Sequence, residues 1–220
     1  MPPKPTLLAF DTSAAHCAAA LLSGDQILTS RIDEMAKGQA EHLMPMLNEV
    51  LAEHGLGWGD LDAVGVGVGP GNFTGIRISV SAARGLALAM NKPAIGVSNL
   101  EALAYGQTGM RVACMDARRD RAYVQAFCTG PETGPTQCDL TAEGLPTLPA
   151  RSEPVVIGDV AEQIAALTQG RVGVPAMPLI NAMAHIAASR LPSTTTSPAP
   201  LYLRAADAAP ARDTAPRIVP

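Results

Sequence analysis

An α/β fold with room for two compact lobes is what this sequence predicts, on three observations. Residues 6–10, 17–22 and 26–30 are short apolar runs divided by turn residues, Gly24 and Asp25 among them, which makes a three-stranded meander at the start of the chain. Residues 60–98, DLDAVGVGVGPGNFTGIRISVSAARGLALAMNKPAIGVS, run as a buried strand, a glycine-rich turn, a long helix of small residues and a second strand, the layout of a βαβ unit. The third observation is length: 220 residues can bury one substantial core or two small ones.

Along the chain, residues 39–54 place Leu43, Leu47, Val50, Leu51 and His54 at helical spacing, while Ala40, Met44 and Met46 widen the apolar arc beyond one stripe. Strand 61–68 carries Gly65 and Gly67, with Gly69 following at the same alternation, so one of its faces admits close backbone approach. The helix at 74–90 is rich in Ala, Ser and Gly around Ile76, Val80, Leu86 and Met90. Gly85 costs it roughly 1 kcal/mol against alanine, and tight packing is the expected return. Lys92-Pro93 closes the helix before strand 94–97, and a short helix at 99–105 follows. Residues 110–115 and 121–127 pair around the polar turn 116–120. The stretch 129–154, dense in Gly, Pro and Thr, lacks periodicity and predicts a loop with at most short structure. A strand at 154–157, a helix from 158 to 168 and another at 178–190 complete the regular elements. PSTTTSPAP is a linker, LYLR is a final strand or an extended clasp, and the Ala/Pro-rich remainder is a loosely held tail. No internal repeat stands out.

Composition narrows the function classes. A net charge of −4 gives no broad basic surface for phosphate contacts, so any dealing with RNA is expected to be indirect. Cys17, Cys114, Cys128 and Cys138 show no C-x-x-C pairing and are expected as core thiols of a reducing compartment. No apolar run approaches the roughly 18 residues of a membrane span, and the N-terminus moves straight into a strand, so a cytoplasmic protein is expected.

Asp11 ends the first strand and is followed by Thr12 and Ser13. Such a carboxylate can hold a metal through water or orient a phosphate; it can equally belong to a polar turn. Gly69-Pro70-Gly71 turns the backbone sharply, and Asn72 or Thr74 can cap the next helix and leave amides for an anion. Neither the dinucleotide fingerprint nor the P-loop lysine is present. His16, His42, His54 and His185 have no metal-ligand spacing, and His54 reads as a packed or capping residue. A strand pair can bring Cys114 near Cys128, but two thiols without close histidines make a poor zinc site. No serine lies in a G-x-S-x-G elbow. Asp116, Arg118, Arg119, Asp120 and Arg121 read as a solvated hairpin or as a salt-bridging contact with another subunit. Arg77 and Arg84, seven residues apart on a small-residue helix, suit an interface or internal carboxylates.

LLAFDTS, AEHLMPMLNEVL and the whole of DLDAVGVGVGPGNFTGIRISVSAARGLALAMNKPAIGVSNLEALA resemble the bacterial TsaB (YeaZ) family, and so do DARRDRAYVQAF, VVIGD and PLYLR. The likeness covers nearly all of residues 6–207. It implies a two-lobed actin/hexokinase-like, ribonuclease-H-like fold: an N-terminal lobe at 1–105, an abbreviated second lobe at 106–204 and a tail at 205–220. It also implies a noncatalytic subunit of the machinery that puts threonylcarbamoyl on N6 of adenosine 37 in tRNAs reading codons that begin with A. Its partners would be the catalytic paralogue TsaD, the ATPase subunit TsaE and a second copy of itself, with tRNA reached only indirectly. Where the paralogue has a metal-binding histidine pair, this chain has Asn99 and Leu103, and leucine cannot ligate a metal.

On that likeness Asp11, Thr12, Gly69 and Gly71 are a vestigial phosphate site with at most weak ATP or ADP binding, and no cofactor is firmly held. The expected partner surface is Leu43, Leu47, Ile76, Arg77, Val80 and Arg84. Two competing expectations belong to other classes: an ATP-dependent phosphotransferase or a peptidase of the same superfamily, and a homodimeric binding module unrelated to tRNA.

Overall fold

Alternate residues of the first strand are apolar on both of its sides, so both faces of its sheet must be covered. The computed structural model, which describes residues 5–128, 133–148, 153–194 and 196–203, shows how. β1 (Thr6–Asp11) lies at the centre of a five-stranded sheet with β2 (His16–Ser23), β3 (Gln26–Glu34), β4 (Ala63–Gly67) and β5 (Ala94–Val97), in the order β3-β2-β1-β4-β5. The first three strands are antiparallel, as the meander predicted, and β4 and β5 run parallel to β1. Leu8, Phe10, Cys17, Ala19 and Leu21 face α1 (Gln39–Ala52) and α2 (Phe73–Met90). Leu7, Ala9, Ala18, Ala20 and Leu22 face the other way, onto α5 (Leu179–Arg190).

That last contact corrects the expected lobe boundary. α5 follows the second lobe in sequence but packs on β1, β2 and β4 of the first. Ile180, Met183, Ala184 and Ala187 make it apolar enough to need a sheet, and they pack with Leu7, Ala9, Ala18, Ala20 and Leu22 of the first. The backbone of β4 lies close beneath it, since a Cβ on Gly65 would stand 3.0 Å from that of Ala187.

The second sheet holds β6 (Arg111–Asp116), β7 (Arg121–Phe127), β8 (Thr136–Asp139), β9 (Val155–Gly158) and β10 (Arg171–Val172), in the order β10-β9-β6-β7-β8. Counted from β6, this is the first sheet's topology again: three antiparallel strands, then two parallel to the first. The repeat is one of topology, and no repeat was legible in the residues. α4 (Ala161–Thr168) covers one face of this sheet, packing on Val112, Cys114, Val124 and Val156. α3 (Asn99–Ala104) covers part of the other through Leu100, Leu103 and Ala104, while Ala102 packs in the α5 cluster. α3 is therefore a wedge between the lobes. A capping box of Ser98 and Glu101 starts it, and the Arg190 guanidinium pairs with Glu101 while donating to the Gly96 carbonyl at 3.0 Å.

Other expectations also change. β3 runs past the expected end at residue 30 to Glu34, where Arg31 and Asp33 pair with each other at 2.9 Å and Arg31 reaches Glu49 of α1. β8 is an edge strand of four residues inside the stretch read as loop, and β10 is one of two residues between the helices expected at 158–168 and 178–190. Cys114 stands opposite Val124, not Cys128. His54 lies exposed beyond the end of α1, hydrogen-bonded to Thr29, rather than packed on its apolar face. Gly85 meets nothing within 4 Å, so the tight packing expected to offset its helix cost is not found among the described residues. Residues 204–220, including the expected tail, lie outside the described residues.

Candidate functional site

Where β1 ends, two turns interlock. Asp11 is buried, and its Oδ2 accepts from the Ser13 amide at 3.1 Å, the Ser13 hydroxyl at 2.8 Å and the His16 ring at 3.1 Å. The Thr12 hydroxyl donates to the Gly75 carbonyl at 2.7 Å, and the Asn72 amide donates to the Ser13 carbonyl at the same distance. The glycine turn can come this close only because it lacks side chains. A Cβ on Gly71 would stand 2.5 Å from the Ser13 carbonyl oxygen, and one on Gly75 would overlap that of Thr12. At the α2 N-terminus, Asn72 Oδ1 accepts from the amides of Thr74 and Gly75 at 3.0 Å each.

The structure brings the expected phosphate-site residues Asp11, Thr12, Gly69 and Gly71 together. The amides of Asn72, Thr74 and Gly75 are bonded within the chain, and Asp11 Oδ2 meets three donors while its Oδ1 is buried without a hydrogen-bond partner among the described residues. Gly69 serves packing too: with φ of 95°, it lies against Ile76 and the Leu201 carbonyl.

A residue not counted as part of this site holds the knot from the second lobe's side. Asn99, buried at the first position of α3, donates through Nδ2 to the Ser13 hydroxyl at 2.8 Å and the Pro70 carbonyl at 2.9 Å. Its own amide donates to the Gly69 carbonyl at 2.9 Å. Leu103, one turn on, is buried among Ala113, Tyr123 and Phe127. Among the described residues, no group of three or more His, Cys, Asp or Glu side chains is placed to hold a metal.

His16 was singled out in sequence only for lacking a ligand partner. Its hydrogen bond to the Asp11 carboxylate, opposed by burial and helped by the charges of Asp11 and Glu34, raises its pKa above the ordinary 6.5. A raised folded-state pKa stabilises the fold fully below the unfolded value, and that contribution is lost as pH rises through the folded value. The thermal midpoint is therefore expected to fall from about pH 6 upward by more in the wild type than in His16→Gln, which keeps a donor but cannot titrate. Parallel midpoint curves for the two proteins would remove His16 from the pH response.

Between the lobes lies a cavity of about 910 Å3, bounded by the Ser13–Ala15 backbone, the glycine turn, Arg77, the β6–β7 hairpin, Asp159 and Leu201 to Leu203. In that hairpin Arg118, Arg119 and Asp120 all take left-handed backbone, with φ of 62°, 56° and 56°. Each costs on the order of 1–2 kcal/mol for a residue with a Cβ. The conformation is held by Asp116, whose Oδ1 accepts from the Arg118 amide at 2.7 Å, and by the Ala117 amide bond to the Arg121 carbonyl. Arg121 pairs internally with Asp139 at 3.0 Å, while Arg118 faces the cavity.

The expected partner surface divides in two. Leu43, Leu47, Ile76 and Val80 are buried in the first lobe's own core, because the wide apolar arc of α1 is consumed by β2, α2 and the 3-10 turn Trp58–Asp60. Arg77 and Arg84 lie on the outer face of α2 with Ser81, Gly85 and Leu88, all exposed. Leu88 is 85% exposed, the largest value among the large apolar side chains described. Sequence reasoning missed it, although it follows Arg77, Ser81 and Arg84 at spacings of 4, 3 and 4 that keep one helical face.

Comparison with known proteins adds three findings. Residues 33–145 match the family model described as TsaD, tRNA N6-adenosine threonylcarbamoyltransferase. The tRNA threonylcarbamoyladenosine biosynthesis protein TsaB of Haemophilus influenzae is 40% identical over 124 residues, 54% of this chain and 52% of that protein. The TsaB protein of Bacillus subtilis is 32% identical over 158 residues, 69% of each. The match thus spans about half the length of the Haemophilus relative. Among solved structures, a Pseudomonas aeruginosa protein described as similar to peptidase YeaZ superposes with a TM-score of 0.74 at 27% identity, covering 91% of this chain and 100% of that one.

Proposed function

The chain belongs to the TsaB (YeaZ) family and has its two-lobed actin/hexokinase-like fold, and from that premise we propose that it is a noncatalytic subunit required for threonylcarbamoyl transfer to N6 of adenosine 37 in tRNA. It acts by pairing with the catalytic paralogue TsaD, or with a second copy of itself, through the outer faces of α1 and α2. A role in tRNA threonylcarbamoyladenosine biosynthesis follows from the family. The subunit role, the pairing with TsaD and contact with the ATPase subunit TsaE are the proposal.

The observation that carries it is the outer face of α2. Leu88 stands in solvent beside the open backbone of Gly85, on a helix whose other side is core. α2 has Arg77 and Arg84 and no acidic residue, whereas α1 turns Glu41 outward beside the Glu49–Arg31 pair, so the two helices offer a partner opposite charge at the rim. Against catalysis stand Asn99, which donates to Ser13 and Pro70, and the packed Leu103, which occupy the positions where the family resemblance puts the paralogue's imidazoles. The role assigns no resident cofactor to this subunit.

The deciding experiment is threonylcarbamoyl transfer to tRNA with TsaD, TsaE and activated threonylcarbamoyl donor, with and without this chain. Modification is expected only when it is present. Full transfer in its absence, or ATP or peptide turnover by the chain alone, would overturn the proposal.

A further inference from the structure

The chain crosses between lobes at residues 105–110, where Gly106 and Gly109 have φ of 75° and 74°, and again at 173–178. α3 is the buried wedge between the lobes. A further bridge is made by contact alone. Residues 198–203 begin on the first lobe, where Pro198 is buried against Gly96 and the Leu201 amide donates to the Val68 carbonyl at 2.8 Å. They then pass along the rim of the interlobe cavity and end on the second lobe, where Leu203 packs into the cluster of Leu100, Tyr123 and Phe127.

Between those ends sits a clamp. The Tyr202 ring lies 4.8 Å from that of Phe73, the Arg77 guanidinium is 3.8 Å above the Phe73 ring, and Arg77 Nε donates to the Tyr202 hydroxyl at 2.8 Å. Phe73 and Tyr202 are both about two-fifths exposed. Such a contact is strong enough to persist and shallow enough to release without opening the core.

The geometry points to a latch: residues 198–203 strap the two lobes together along the rim of the cavity, and release of Tyr202 from Phe73 and Arg77 lets the β6–β7 hairpin and α3 move away from the glycine turn. The latch is anchored beside the face that the proposed function gives to partners, because Arg77 belongs to both. The latch itself does not rest on that function and is tested on the chain alone.

Amide hydrogen exchange on the full chain separates a latch from local packing. In Tyr202→Ala, the amide of Asn99, whose bond to the Gly69 carbonyl ties α3 to the glycine turn, is expected to exchange at least about tenfold faster, while β4 and β9 stay protected. Tyr202→Phe, which keeps the ring and loses the hydroxyl, should fall between it and the wild type. If only residues 73–77 and 198–203 quicken, Tyr202 packs locally and there is no latch. Uniform acceleration through β4 and β9 overturns it as well, by making the segment a prop of the whole fold, and so does no change anywhere.

Discussion

Leu88→Glu is expected to weaken association with the catalytic paralogue by about thirtyfold or more, the loss expected when a central apolar anchor of an interface is replaced by a charge. Its own thermal midpoint should move by no more than roughly 2 °C. The side chain is 85% exposed and touches little, and exposed substitutions usually lie within about 0.5 kcal/mol. Transfer to tRNA should fall with binding and recover at high concentration of the variant. The contrast with Leu47→Glu matters, because Leu47 has no exposed surface and a carboxylate there would break the first lobe's core. That variant would lose binding by unfolding and would say nothing about a surface. Unchanged affinity and activity in Leu88→Glu would exclude the outer face of α2 as the contact.

Gly75→Ala should be the most damaging single methyl in the chain's first lobe. The added carbon would lie within the van der Waals shell of the Thr12 carbonyl oxygen, a backbone atom fixed by β1 and by the Asp11 hydrogen bonds. A cost of about 3 kcal/mol is expected, at the upper end for overpacking, and for a chain of this length that is about 6–12 °C in thermal midpoint. Gly85→Ala should change stability in the other direction, by roughly 0.5–1 kcal/mol, since its Cβ would meet nothing and the helix gains propensity. Two glycines of one helix would thus move the melting curve in opposite directions. Coincident curves for Gly75→Ala and the wild type would mean that the two turns are not locked as described.

Much of this fold could be read from residue pattern because apolar period and turn chemistry agree over residues 6–128. The meander, the glycine turn, α2 and the β6–β7 pair all appear where the spacing puts them. β8 and β10 escaped because edge strands of two to four residues need little apolar content, and TQCD carries none of the β-branched runs that mark a central strand. α5 was legible as a helix but not as a part of the first lobe. Its apolar residues state that it needs a sheet and do not state which one.

The site shows the same division. Asp11, Thr12, Gly69 and Gly71 were found as neighbours, since a strand end and a strand-to-helix turn on adjacent parallel strands must meet. What their neighbouring amides bond to was not legible, because an amide free for an anion and an amide spent on Asn72 or Ser13 have the same sequence. Leu43, Leu47, Ile76 and Val80 were mistaken for an interface because a wide apolar arc is consistent with covering either one's own sheet or another chain. Leu88, the better candidate, was passed over as one more apolar residue in an apolar helix.

The placement of α5 has a consequence for synthesis on the ribosome. Leu7, Ala9, Ala18, Ala20 and Leu22 leave the exit tunnel early, but the helix that shields them ends only at Arg190. At roughly 5–20 residues per second, the 85 residues from 105 to 190 take about 4–17 s to translate. Through that interval the nascent chain carries one half-dressed sheet, with its apolar side open to chaperones or to neighbouring polypeptides. A fragment stopping at residue 105 would remain in that condition permanently, so the first lobe cannot be expressed as a soluble unit by cutting at the lobe boundary; its last helix would have to be grafted back.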